Sequence, residues 1–266
     1  MFRFKNLQDT YIVGVRHTFP DDTVTTFGYK LDILAHRIKK ADKTFYRYQL
    51  LRRYETQING EPSENISDVI TTGTGDSLYP LVLLTEENGE IQSVENFADV
   101  KARRLAERKD PDSKYPGFEP EPYFNITEEN MKDEKTLLTR LWCDAFIQFY
   151  FRDTDKSDWS FRICDFPDSG NLMIYYALRK EKPVYVYYDG TPVKTPDDSY
   201  EIHPAFLMPG VLRNEGTVYC QRTAEGDLGK MDLNINLLKD DYTYYRRKIT
   251  LLRDEKTRRA VNSFGI

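Results

Sequence analysis

Ser77, in Gly75-Asp76-Ser77-Leu78, is the residue of this chain best placed by its neighbours to attack a bond, and the histidines at 17, 36 and 203 are the available bases. A serine hydroxyl is a poor nucleophile until a partnered base takes its proton. Pro80 follows closely and obstructs any helix starting at the serine. Gly73 and Gly75 could cradle a phosphate, but no Gly-Lys-Ser/Thr follows them, and Leu78 stands where a dinucleotide loop needs its third glycine. Asp153, Asp155 and Ser157 open like a calcium loop; Asp158 and Cys164 then occupy the positions that need glycine and glutamate. His17, His36 and His203 have no metal-ligand spacing with another His or Cys. The sequence therefore predicts no catalytic residue, no metal and no cofactor.

The tetrad at 75–78 resembles the nucleophile block of the GDSL esterase and lipase family. That resemblance implies a serine on a strand-to-helix turn that attacks an ester, with a distal Asp-x-x-His supplying the base. It covers four residues, and Tyr200 occupies the position three before His203 where the family's aspartate belongs. A hydrolase using Ser77 is accordingly the weakest of three readings, and a loop at 71–77 is the plainer account.

Binding chemistry is better represented. Val184-Tyr185-Val186-Tyr187-Tyr188 is apolar on both faces, as a fully covered strand or an exposed docking strand would be. Tyr244 and Tyr245 adjoin Arg246, Arg247 and Lys248, and a second basic group spans Lys101, Arg103, Arg104, Arg108 and Lys109. Interleaved aromatic and basic side chains can stack bases or hold an acidic partner. Asp99, Glu107, Asp240 and Asp241 dilute both patches, and a net charge of −5 argues against nucleic acid. The partner-binding candidates are Tyr185, Tyr187, Tyr188, Tyr244, Tyr245, Arg246 and Arg247. The expected partner is another protein, a second copy of this chain included.

The elements that must position these residues are mostly strands. With 266 residues, 19 Tyr and 15 Phe, the chain can bury a full core and suits half-buried sheet faces, where a tyrosine ring packs and its hydroxyl stays wet. No apolar run reaches the roughly 20 residues of a membrane span, and the start has no signal-peptide pattern, so a cytoplasmic protein is expected. Cys143, Cys164 and Cys220 form no disulfide framework. Residues 31–53 and 233–254 read as two loose copies of one hairpin: Leu31-Asp32-Ile33 with Thr44-Phe45-Tyr46-Arg47 and Leu50-Leu51-Arg52, then Leu233-Asn234-Ile235 with Thr243-Tyr244-Tyr245-Arg246 and Leu251-Leu252-Arg253. Phe27, Tyr29, Leu31 and Ile33 alternate with polar residues, the pattern of a sheet wet on one face.

Between the strand regions, Asn96 with Asp99 predicts a capped helix over about 96–108. Pro111, Pro116, Pro120 and Pro122 predict an extended connector over 111–126. Leu138, Leu141, Trp142, Ala145, Phe146, Phe149 and Tyr150 recur at helical spacing after Thr127-Glu128-Glu129, which predicts one long helix over about 127–151. The expected class is α+β: antiparallel β meanders at both ends packed around that central helix. The expected regions are 1–110, the connector at 111–126, and 127–266. The first functional reading is a non-catalytic interaction or assembly protein, such as an inhibitor, an immunity-type antagonist or an adaptor in a larger machine. The alternative is a carrier of an apolar small molecule between sheet and helix.

Overall fold

The computed structural model describes residues 7–40, 42–61, 75–108, 121–142, 144–151, 158–166, 170–182, 185–188, 213–222, 228–239 and 242–254. The predicted class holds: antiparallel sheet dominates, with a few short helices. The strands are β1 (Leu7–Thr18), β2 (Val24–Lys40), β3 (Lys43–Ile58), β4 (Leu81–Glu86), β5 (Ile91–Val94), β6 (Asp158–Phe166), β7 (Gly170–Lys182), β8 (Tyr185–Tyr188), β9 (Arg213–Arg222), β10 (Leu228–Lys239) and β11 (Tyr242–Arg253). Hydrogen bonding orders eight of them β5-β4-β3-β2-β1-β11-β10-β9, and the other three β6-β7-β8. The chain forms two compact units, Met1–Val13 with Phe27–Leu141 and Arg253–Ile266, and Gly14–Thr26 with Trp142–Leu252.

In the first unit, strict alternation builds the β2–β3 hairpin. Tyr29, Leu31, Ile33 and Ala35 are buried along β2, and Tyr46, Tyr48 and Leu50 along β3. Ile33 faces Leu50 across the ladder and Ala35 faces Tyr48, so both rows lie on one side. Register slips at Asp32/Ile33 and at Gly28/Lys30 keep the rows aligned; near the second, Glu55 takes φ 51°. On the opposite face, Asp32 accepts from Thr10 Oγ1 at 2.7 Å, Arg52 Nε at 2.7 Å and Tyr54 Oη at 3.0 Å. At Asn59-Gly60 both residues adopt positive φ, 55° and 87°, and Ile58 N donates to Glu61 O at 2.9 Å, the turn the dipeptide predicts. β4 and β5 form a second hairpin, with Leu83 opposite Val94.

The helices are α1 (Phe97–Arg108), α2 (Glu121–Asn130), α3 (Glu134–Leu141) and α4 (Ala145–Tyr150). The long helix expected over 127–151 is therefore corrected to three short ones, the first beginning inside the supposed connector. Pro122 fits there because the first turn of a helix needs no partner for its missing N–H. Two aspartates break the rod. Asp133 Oδ1 accepts from Thr136 N at 2.7 Å, and Asp144 Oδ1 accepts from Phe146 N and Ile147 N at 2.9 Å each. Each caps a new helix start instead of continuing the old one. Asp144→Ala is expected to cost about 1 kcal/mol, read as a lower urea midpoint at unchanged slope. At α1, Asn96 departs from the capping-box expectation. Its side chain accepts from Val82 N at 2.8 Å and donates to Pro80 O at 2.7 Å, tying the helix start to β4.

In the second unit, β10 runs antiparallel to both β9 and β11, with Met231 opposite Cys220 on one side and Leu251 on the other. β7 pairs with β6 and with β8, where Arg179 faces Tyr187. All six residues of α4 are buried, and Phe146 stacks on Tyr150 with ring centres 4.7 Å apart. The two hairpin copies keep their inward residues: Leu31, Tyr46 and Leu50 in one, and Leu233, Tyr245 and Leu251 in the other, are all buried. No helix among the described residues is long and apolar enough to cross a membrane.

Candidate functional site

The first unit turns one whole sheet face inward. Tyr29, Leu31 and Ile33, Tyr48 and Leu50, and Leu81 and Leu83 carry this face across three neighbouring strands. The non-sheet side of the interior comes from Val100 on α1, Phe124 on α2, and Leu137 and Leu141 on α3, all buried. An apolar sheet face and apolar helix stripes satisfy one another in this way. Polar ties at the rim add to this packing. Arg108 on α1 reaches Glu128 on α2 at 2.5 Å and also pairs with Glu121. Glu134 Oε1 on α3 accepts from Val94 N at 2.7 Å. Exposed pairs of the Arg108 type contribute about 0–1 kcal/mol each.

This interior has a charged end. Arg53 lies opposite Leu31 in the ladder and so shares its inward face. Its guanidinium sits 5.7 Å from the Phe27 ring centre and 5.5 Å from that of Tyr29. Nε donates to Asp76 Oδ1 at 2.6 Å. The arginine side chain is 11% exposed and the aspartate 41%, so the pair straddles the rim. Burial alone would lower the Arg53 pKa, but Asp76, with Tyr79 and Tyr29, outweighs that and raises it. Gly75 makes the arrangement possible, because a Cβ built there would lie 2.8 Å from Arg53 Cζ. A deeper ion pair joins Arg253 to Asp9, with Nε to Oδ1 at 2.8 Å and Nη2 to Oδ2 at 2.7 Å.

Ser77 has a different neighbour from the one a hydrolase needs. Arg104 Nη1 donates to its hydroxyl oxygen at 3.0 Å, and Arg103 donates to the carbonyls of Ser77, Leu78 and Pro80. A guanidinium stays protonated and cannot accept the serine proton. The hydroxyl thus helps seat α1 against residues 77–80, and Arg104 also lies 5.9 Å over the Phe124 ring. His36 is half-buried on β2 opposite Arg47. His203 and the aspartates at 153 and 155 lie outside the described residues.

His17 occupies an aromatic cluster in the second unit. Its Nδ1 hydrogen-bonds the Tyr245 hydroxyl, and its ring stacks with Phe19 at 6.2 Å between centres. Burial, then the nearby Arg247, lowers its pKa to about 4; burial pushes Tyr245 up to about 12. The imidazole is therefore neutral and shares a hydrogen bond with the protonated tyrosine hydroxyl. Because the unfolded chain binds a proton at His17 near pH 6.5 and the folded one only near 4, stability is full above 6.5 and falls as pH drops through that window. The loss should reach up to about 3 kcal/mol, less for the part of the ring that water reaches. His17→Phe should flatten the dependence of the urea midpoint between those values.

The proposed partner-binding residues on β11 divide by strand alternation. Tyr245 and Arg247 are buried, Arg246 is exposed with Nε bonded to Asn236 Oδ1 at 2.9 Å, and Tyr244 precedes them in the strand with its side chain outside the described residues. Tyr185, Tyr187 and Tyr188 form β8, and their side chains lie outside the described residues. Sequence reasoning missed Arg53 and Phe27 as a cation–aromatic pair. The available signal was Arg53 at an inward position of an otherwise apolar row.

No protein-family model matches the chain, and no curated protein matches it. Among solved structures, the chain resembles one described as lipid–protein interactions in lipovitellin, with 8% identity and a TM-score of 0.39 over 93% of this chain. It spans about a quarter of that structure, 25%. It also resembles a LolA-superfamily protein from Nitrosomonas europaea, with 9% identity and a TM-score of 0.22 over 95% of this chain and 89% of that one. At these TM-scores neither likeness establishes a shared fold.

Proposed function

We propose that this chain is a carrier that holds an apolar small molecule against the inward sheet face of its first unit, beneath α1, α2 and α3. The observation that carries the reading is a continuous apolar, tyrosine-bearing sheet face in the same compact unit as three short helices whose residues Val100, Phe124, Leu137 and Leu141 are buried. Helices of 8 to 12 residues are marginal by themselves and hold their place through docking. A roof of that construction can lift at a cost well below that of unfolding the sheet, and an apolar ligand then replaces the helix contacts it displaces. The tyrosines suit this role, because their rings present wide apolar area with few rotatable bonds.

The reading as an interaction or assembly protein draws on exposed surface. In β11 that surface is Arg246 with Tyr242, which is 80% exposed, since Tyr245 and Arg247 point inward. This supports it less than the roofed face supports a carrier. The test is displacement of the neutral fluorophore N-phenyl-1-naphthylamine from delipidated protein by long-chain amphiphiles. Saturable displacement with one site per chain is expected. Absence of fluorophore binding, with α1–α3 as protected from hydrogen exchange as β2 and β3, would remove the carrier reading.

A further inference from the structure

We infer that α2 is a strap held to α1 by an ionic clasp, and that rising ionic strength loosens it while α1 and the sheet stay in place. This goes beyond the carrier reading, since it names the element that moves and what holds it, whatever the first unit binds. Lys101, Arg104 and Arg108 lie three and then four positions apart, so one face of α1 carries all three cations. Each of them reaches toward α2. Lys101 Nζ donates to Lys132 O, just past the end of α2, at 3.3 Å, and the Arg104 guanidinium lies over the Phe124 ring. Arg108 takes Glu121, Asn125 and Glu128 together, with Nη2 to Asn125 Oδ1 at 3.2 Å and Nη1 to Glu128 Oε1 at 2.5 Å. Those three acceptors are spaced four and three apart, so one face of α2 converges on a single cation.

By its own charges α2 is poorly suited to stand alone. Its last turn holds Glu128 and Glu129 and no base, which opposes the helix dipole, and ten residues are few for an isolated helix. Arg108 on Glu128 and Lys132 on Glu129 offset that charge. An α2 lifted from α1 therefore loses a cation that its acidic end needs, and it unwinds as it leaves. The moorings of α1 are of another kind. Asn96 bonds Val82 N and Pro80 O, and Arg103 donates to the carbonyls of Ser77, Leu78 and Pro80, so these partners carry no net charge. Salt separates the two sets. The side chains of Arg108, Glu121 and Glu128 are 31%, 57% and 37% exposed, within reach of counter-ions. The range of their attraction falls from about 30 Å at 0.01 M salt to about 3 Å at 1 M. Phe124 is an anchor that salt does not screen, so α2 opens more often without detaching outright.

Hydrogen exchange of the full chain without ligand, at about 0.01 M and about 1 M sodium chloride, tests this. Exchange within Glu121–Asn130 should quicken about tenfold with salt, the change that screening two or three exposed contacts supplies. Rates in α1, β2 and β3 should hold within about twofold. Arg108→Gln should exchange fast across α2 already at low salt and lose the salt response. Arg108→Lys, which keeps the charge and loses the fork, should retain a reduced response. Salt-independent exchange of α2 in the unaltered chain overturns the inference, and this measurement decides even where a variant does not fold. A full salt response in Arg108→Gln overturns it as well, since the clasp would then lie elsewhere. So does acceleration of α1 and the strands in step with α2, because the unit then opens as one. The carrier reading has its own test in fluorophore displacement, so the two can fail separately.

Discussion

Arg253→Met should lower folding stability by about 3–5 kcal/mol. Arg253 and Asp9 make a two-pronged pair whose side chains are 5% and 1% exposed. Removing the cation takes its contribution away from a carboxylate buried in the first unit, whose desolvation is then less fully compensated. The pair itself need not be a net stabiliser, since attraction in a dry interior is offset by the cost of drying both ions. The double replacement Asp9→Leu with Arg253→Met should therefore recover most of what the single loses. Urea midpoints of the two singles and the double give the coupling directly. A midpoint for Arg253→Met equal to that of the unaltered chain would show that the pair is not held dry.

Phe124→Ala should remove about 3–5 kcal/mol of docking energy from α2, with a distinctive distribution. Phe124 on α2 is buried and lies beneath Arg104, so its loss deprives a ten-residue helix of a buried anchor. Hydrogen exchange should then show Glu121–Asn130 losing protection while β2 and β3 keep theirs. Fluorophore binding should become faster in both directions as the roof opens more often. Equal loss of protection in helix and strands would show that roof and sheet unfold as one, and a ligand would have no local route inward.

The β part of this molecule was readable because alternation is a local signal. Tyr29, Leu31 and Ile33 announce an inward row, and Asn59-Gly60 and Glu87-Asn88-Gly89 announce turns from adjacent residues alone. The helical part misled for a physical reason. An apolar stripe at three- and four-residue spacing persists across Met131 and across Trp142, since each short helix must bury its own face. Asp133 and Asp144 interrupt that stripe without disturbing its period. Their preference for capping over mid-helix positions was the overlooked cue.

The site was less legible than the fold. Gly75 and Asp76 stood out as part of a tetrad suggestive of a nucleophile, yet in the structure they meet Arg53, from 22 residues or more earlier in the chain, and Ser77 meets Arg104. A turn motif in sequence cannot say which distant side chain it will receive. The same holds for Asp9 and Arg253, whose union depends on which strand comes to lie beside β1.

That union sets a demand on synthesis. Asp9 and Arg253 are 244 positions apart, and Asp254 N donates to Thr10 O at 2.8 Å beside them. A ribosome must add the 244 positions that separate Asp9 from Arg253 before β1 gains its second neighbour, and such distant closure is slow. During that interval the nascent first strand keeps one ladder of amides and carbonyls open to other partners, so attendant chaperones would find their natural client in the half-made chain.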